Sequence, residues 1–448
     1  MIALALCALA LLTSFYAGKR SLGQGIACML AWGYFHGILR ANLLTSYSHF
    51  IFDAALVGLI ISRWGMLFDK SYRPAASLRG WVVLLMAWPA LLILMPFQPF
   101  LVSLVGYRGC AFFIPLALLA SRLVKDDILQ LSRWLAILNF SALGFAIAEY
   151  FLGIERFFPV SPVTLIIYIS NDVAGGFHRI PGTFGTAHLY GGTMVTSIPL
   201  LVAGWSNESG RFPRMLAIGG LAAALFGILL SATRLNFLLC AFLLVTTIMG
   251  GRMAAKQRLI FGLLIVAVLM VALRNERFQR FKSLSDTDYV GERISGSVNR
   301  SFGEILMNYP MGNGLGGGGT SIPYFLQGEV RNPIGLENEY ARILCEQGVI
   351  GLAIWLGFLA WYVSRFKTAS AAGTWMTARR MAWVLCLLEF GTGWIGTGLL
   401  TSVPASAMLM LAMGWTAVPM AKESLAVRRR QAPGALRLPQ SYRPVTIP

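Results

Sequence analysis

Apolar runs long enough to cross a bilayer as a helix, about 17–25 residues, recur from end to end of the chain. They fall near 2–17, 22–39, 48–67, 80–97, 106–123, 132–152, 186–204, 214–231, 233–250, 258–273, 341–363, 381–398 and 401–420. The pattern predicts an all-α polytopic membrane protein with roughly 12–13 spans. Arg108 interrupts the start of the fifth run. The eighth and ninth are separated only by Ser231-Ala232-Thr233-Arg234. An arginine in the middle of one long apolar helix is costly in lipid, so this tetrapeptide is read as a tight turn between two spans. The first run, Ile2 to Tyr16, has no basic region before it and is read as a span, not a cleaved signal peptide. The longest polar interval runs from Leu273 to Tyr340.

Basic residues orient the bundle. Alternate loops hold Lys19 and Arg20; Lys70, Arg73 and Arg79; Arg122, Lys125 and Arg133; Arg211 and Arg214; Arg252, Lys256 and Arg258; and Arg365, Lys367, Arg379 and Arg380. The positive-inside rule puts these loops and the C-terminus in the cytoplasm and the N-terminus outside. Residues 1–420 then form a single transmembrane domain with two large external loops, about 153–185 and 274–340. Residues 421–448 form a basic, disordered cytoplasmic tail suited to anionic lipid. Composition agrees: 56% of the 448 residues are hydrophobic and 12% charged, about half the charged share of a soluble protein. A net charge of +18 would suggest nucleic acid in a soluble chain, but positive-inside bias accounts for much of it here. The six cysteines lie in or beside apolar runs without metal-ligand spacing and read as small hydrophobes.

The external loops carry the candidate chemistry. Arg179, Arg234, Arg274, Arg277, Arg280, Arg293, Arg300 and Arg331 stand on the face that charge bias should deplete. A guanidinium fork matches phosphate oxygens. The alternative is solvated loop charge or contact with lipid headgroups, the favoured reading for Arg277, Arg280 and Lys282. Arg179-Ile180-Pro181-Gly182-Thr183-Phe184-Gly185 is a turn before a span: an anion cradle, or a re-entrant turn that caps the next helix. Glu304 to Tyr309, before Pro310, predicts a short interfacial helix, and Ser301-x-x-Glu304 resembles a capping box just ahead of it. Glu337 and Glu339 sit where a span begins, as a general base or as partners of the helix dipole. Asp286-Thr287-Asp288 has the spacing of a short metal-binding pattern, too common to carry weight alone. His36, His49, His178 and His188 all fall toward the external face; His178, beside Arg179, is the best placed to contact substrate. The glycine run Gly312 to Gly319 lacks the lysine of a phosphate-binding P-loop.

Three stretches in this order resemble the O-antigen ligase and O-antigen polymerase superfamily of bacterial envelope proteins. They are Arg179 to Gly185 before a span, Ser231 to Arg234 between spans, and the long loop. That loop has Arg293 and Arg300, then Asn308-Tyr309-Pro310-Met311-Gly312-Asn313-Gly314-Leu315-Gly316, and ends in Glu337-Asn338-Glu339-Tyr340-Ala341-Arg342, running on to Glu346-Gln347-Gly348-Val349-Ile350-Gly351-Leu352. The resemblance covers about residues 130–365. It implies a GT-C-like bundle in the bacterial inner membrane with a large periplasmic loop. It implies a glycosyltransferase that moves glycan from undecaprenyl pyrophosphate to an acceptor sugar at the periplasmic face, with no nucleotide sugar and no metal. Arg179, Arg234, Arg293 and Arg300 would hold the pyrophosphate, and Asn338 and Tyr340 join His178 as candidate substrate contacts. The ligases place a histidine where this chain has Glu337. That departure favours a polymerase of exopolysaccharide, capsule or O-antigen repeat units, with Glu337 as base. The alternatives are ligase-type transfer to lipid A core and a transporter of an anion or lipid-linked oligosaccharide. A transporter would show broken helices with charges inside the membrane, whereas here the charges are expected at one surface. Expected partners are the lipid-linked glycan, the acceptor glycan, membrane lipid, a chain-length regulator and a flippase.

Overall fold

The computed structural model describes residues 1–161, 163–164, 179–249, 255–274, 291, 302–319, 322–336, 338–370, 373–396 and 398–420. Every regular element among these residues is a helix. The first half contains α1 (Ile2–Arg20), α2 (Leu22–Asn42), α3 (Ile51–Ser62), α4 (Trp64–Phe68), α5 (Ala76–Leu92), α6 (Phe100–Ala111), α7 (Pro115–Ala120) and α8 (Lys125–Leu152). The second contains α9 (Ala187–Asn207), α10 (Arg211–Leu230), α11 (Arg234–Met249), α12 (Ala255–Arg274), α13 (Phe302–Asn308), α14 (Glu339–Val363), α15 (Phe366–Ser370), α16 (Met376–Thr392) and α17 (Ala405–Ala417).

Helix occupies each interval in which the apolar pattern predicts a span. Among the described residues, six stretches are both long and apolar enough to cross a membrane: Ile2–Arg20, Arg73–Leu92, Phe100–Ala120, Lys125–Leu152, Arg211–Leu230 and Glu339–Ser370. Shorter apolar helices include Arg234–Met249 and Ala405–Ala417. α17 has 13 residues, nearly all buried, so it is a core helix walled by protein. The fifth predicted span is two helices, α6 and α7, joined by a turn over Phe112–Ile114.

One end of the bundle is tied together by basic residues. Arg122 pairs with Asp69 at 2.9 Å and lies over the Tyr72 ring. Bonds from the Ser71 hydroxyl and from Arg122 hold the Asp69 carboxyl below the usual carboxylate range. Arg133 forks onto both oxygens of Glu208, at 2.5 and 2.8 Å. Buried Arg379 donates to the Trp415 and Val418 carbonyls, satisfying carbonyls that the end of α17 leaves open. Helix direction alternates, so the segments 43–50, 93–99, 153–161, 179–186, 231–233, 309–319, 322–336, 393–396 and 398–404 meet at the other end. Cross-bonds join them there: Gln98 Nε2 donates to the Asn313 and Arg331 carbonyls, both at 2.9 Å.

At this end α14 is interrupted. Gly348 has φ 69° and ψ −174° within the helix. The glycine-rich loop fills the gap. Asn313 N–H donates to the Cys345 carbonyl at 2.6 Å, and Val349 N–H donates to the Pro310 carbonyl at 3.0 Å. Those two helix groups would bond each other in an unbroken α-helix, so the loop has taken over one rung. A side chain at Gly348 would meet the Met311 backbone at 2.7 Å. Gly348→Ala therefore combines an unfavourable φ with a backbone clash and is expected to cost at least about 1–3 kcal/mol. The yield of monodisperse protein and its melting temperature should fall. Gly144→Ala, where an added methyl meets open space, should leave both unchanged or slightly raised.

Candidate functional site

The turn before α9 is set into the bundle. Its Thr183 and Phe184 are fully buried. Gly182 has φ 59°, and its N–H donates to Glu149 Oε2 at 2.8 Å. The Thr183 hydroxyl donates to the Tyr34 carbonyl at 2.6 Å, while Ile38 N–H donates to the Thr183 carbonyl at 3.0 Å. Tyr34 and Ile38 are again the two ends of one helical rung, here in α2. Gly37 makes the approach possible, since a Cβ there would lie 2.0 Å from the Phe184 carbonyl carbon. Phe184 stacks on Tyr190. Thr186 then caps α9 by accepting from Leu189 N–H at 3.2 Å. Of the two sequence readings of this stretch, the capping of the next helix is seen here; the turn also carries Arg179 to the loop-rich end.

The turn between α10 and α11 is held by its own hydroxyls. Ser231 and Thr233 Oγ atoms lie 2.9 Å apart. Asn236 Nδ2 donates to Thr233 Oγ1 at 3.0 Å and to the His188 carbonyl at 2.9 Å. Arg234, half-buried, opens α11, so these bonds bring it to the same end as His188.

Two cavities lie beneath these loops. The first, about 190 Å³, is lined by His188, Asn236, Glu389, Thr392, Ser402 and Ser406, among others. The second, about 170 Å³, is lined by His36, Arg40, His49, Arg108, Gly185 and Ile322, among others. Leu189 borders both. Arg108 is held by a bidentate pair with Asp53, its Nη2 2.9 Å from Oδ1 and its Nε on Oδ2. Glu389 projects from α16 into the first cavity. The second cavity can hold anionic oxygen near the cations Arg40 and Arg108, and the first offers the Glu389 carboxylate as a proton acceptor.

Beside the cavities lies a buried charge triad. Arg342 donates to Glu339 Oε1 from Nε (3.2 Å) and Nη2 (2.5 Å), and to Glu346 Oε2 from Nη1 (2.7 Å). All three residues are fully buried. Glu339 Oε2 also accepts from Gly398 N–H at 2.8 Å, which ties α14 to the segment that lines the first cavity. The sequence reading placed Glu339 at the mouth of a span and charges at one surface; the structure instead encloses this acid beside a broken helix. The i, i+3, i+7 spacing of Glu339, Arg342 and Glu346 was the available signal.

Of the residues singled out in the sequence, Arg179 and Arg234 come to the loop-rich end, and Leu235 and Asn236, which follow Arg234, line the first cavity. Asn338 is buried as the cap of α14, accepting from Tyr340 and Ala341 N–H and donating to the Trp394 carbonyl. Tyr340 is buried against Trp394, its hydroxyl donating to the Phe390 carbonyl at 2.8 Å. Their polar atoms are thus used within the protein. His178, Arg293, Arg300, Glu337 and the Asp286–Asp288 pair lie outside the described residues. A short helix is present where one was expected before Pro310, as α13, beginning two residues earlier than Glu304. Arg40, Arg108, His36, His49 and Glu389 were not singled out as a site; their mark was a charge or imidazole inside or at the end of an apolar run. The chain matches no protein-family model and no curated protein sequence.

Removing one member of a buried ion network leaves an uncompensated charge, at a cost of about 3–5 kcal/mol. Arg342→Met is expected to lower folded yield and melting temperature sharply. The triple variant Glu339→Leu, Arg342→Met, Glu346→Leu should recover a large part of that loss, as read by thermal melts in one detergent.

Proposed function

We propose that this chain is a metal-independent glycosyltransferase of the bacterial inner membrane. In this reading it polymerises repeat units of an exopolysaccharide, capsule or O-antigen at the periplasmic face. Glycan on undecaprenyl pyrophosphate is the donor, and a sugar hydroxyl is the acceptor. The observation that supports the proposal is the first cavity, which is lined by Glu389 and His188, at the end of the bundle where two bonded turns carry Arg179 and Arg234. The resemblance to the polymerase and ligase superfamily points to the same two arginines.

The chemistry is a displacement at the anomeric carbon. The acceptor oxygen forms the new glycosidic bond as the bond to the pyrophosphate oxygen breaks. The lipid pyrophosphate leaves with the electron pair, and the acceptor proton passes to a carboxylate. Charge gathers on the leaving group in the transition state, so guanidinium groups fixed there lower the barrier. Two carboxylates are candidates for the proton. Glu337 immediately precedes the cap of α14 and stands where ligases have histidine. Glu389 lines the cavity itself.

A transporter reading draws on one observation, the break at Gly348 beside the buried triad. Against it, Arg342 is bonded to both acids, and the neighbouring gap is occupied by the glycine loop.

Arg234→Ala is expected to abolish polymer formation in cells, a loss of at least about 10²-fold, with normal amounts of the protein in the membrane fraction. Normal polymer length and yield in that variant would count against the proposal. In nanodiscs supplied with undecaprenyl-pyrophosphate oligosaccharide, Glu389→Gln and Glu337→Gln separate the two acids. The true base should lose turnover at every pH between 6 and 9 with little change in donor binding. Accumulation of donor across the bilayer without any new glycosidic bond would instead support transport.

A further inference from the structure

The second cavity is not accounted for by a single pyrophosphate site. Three cationic or imidazole-bearing elements converge on it from different parts of the chain: His36 and Arg40 on α2, His49 before α3, and Arg108 on α6. The pair with Asp53 engages Nε and Nη2 of Arg108 but not Nη1, so the fork is locked in orientation with donor capacity to spare. His36 Nε2 is buried without a hydrogen-bond partner in the protein, an arrangement that a ligand oxygen would relieve. The walls are built for this space: Gly37 admits the Thr183–Gly185 turn, and Ile322 and Pro323 of the long loop close another side. At about 170 Å³ the cavity exceeds the roughly 30 Å³ share of one water several-fold and has room for a phosphate.

We infer that this cavity is a second oxyanion site, which holds the phosphate of a different molecule from the one held beside Arg179 and Arg234. Leu189 is the partition between the two. The identity of that molecule rests on the transfer reading, in which it is the acceptor, itself phosphate-bearing; the site stands apart from that reading.

The test is calorimetric titration of the purified full-length protein with inorganic pyrophosphate. Wild type is expected to take up two equivalents. Arg40→Gln should remove one and leave the other, and Arg234→Gln should do the reverse. His36→Asn keeps the Nδ1 position and removes Nε2; it should weaken the Arg40-dependent equivalent at least tenfold without changing the melting temperature. A single equivalent lost in both variants would mean one composite site and would overturn the inference. So would uptake that Arg40→Gln and His36→Asn leave unchanged, or no uptake at all. Loss of only the Arg234-dependent equivalent from wild type would sink the transfer reading and leave this site standing. Titration in nanodiscs identifies the source of the phosphate. A substrate site keeps its equivalent in both phosphatidylcholine and phosphatidylglycerol. Its disappearance in phosphatidylglycerol alone would assign the cavity to lipid headgroups and overturn the substrate assignment.

Discussion

Inside an apolar bundle every peptide N–H and carbonyl must find a protein partner, and this constraint shapes the loop-rich end. Two helices give up a rung there. In α14 the rung between Cys345 and Val349 is taken over by Pro310 and Asn313. In α2 the groups at Tyr34 and Ile38 bond to Thr183. In each case a loop becomes part of a helix's hydrogen-bond ladder, so its position is fixed by main-chain geometry. The arginines and histidines around the two cavities inherit that precision. Arg179 is four residues from the Thr183 wedge, and Ile322 and Pro323 follow closely on the glycine loop.

Charge burial follows the same economy. Arg342 between Glu339 and Glu346, Arg108 on Asp53, and Arg379 on the carbonyls after α17 are each met by short, oriented bonds. Such networks add little net stability over apolar packing, yet they are costly to break. They fix which helices meet and in what register. The Glu339 bond to Gly398 N–H is the clearest case, since it holds the start of α14 against the segment lining the first cavity.

Much of this was legible in the sequence. Helix positions followed from apolar run length because lipid and core impose the same local demand. Arg179 and Arg234 stood out because they violate the charge bias of their face. Arg108 was noticed only as an obstacle to a span, and Glu389 was passed over within one. A lone charge in an apolar run says that a partner or cavity exists but not where, because the answer lies on helices remote in sequence: Asp53 is on α3, and Asn236 and His188 face Glu389 from α11 and α9. The enclosure of Glu339 was missed for a related reason. Its neighbours at Gly393, Gly396 and Gly398 belong to a turn about sixty residues further on, which no local pattern links to it.

The stitching of the glycine loop also sets an order of manufacture. Gln98, which grips the loop at Asn313 and Arg331, is synthesised in the first quarter of the chain, the loop itself past the midpoint, and the interrupted helix that needs it later still. Trp88 reaches the same helix through the Gln347 carbonyl at 3.0 Å. The gap at Gly348 can be filled only when all three are present. Both cavities also take lining from the segment just before α17, Ser402 in the first and Thr401 and Val403 in the second, so neither can be complete until nearly the whole chain has been made.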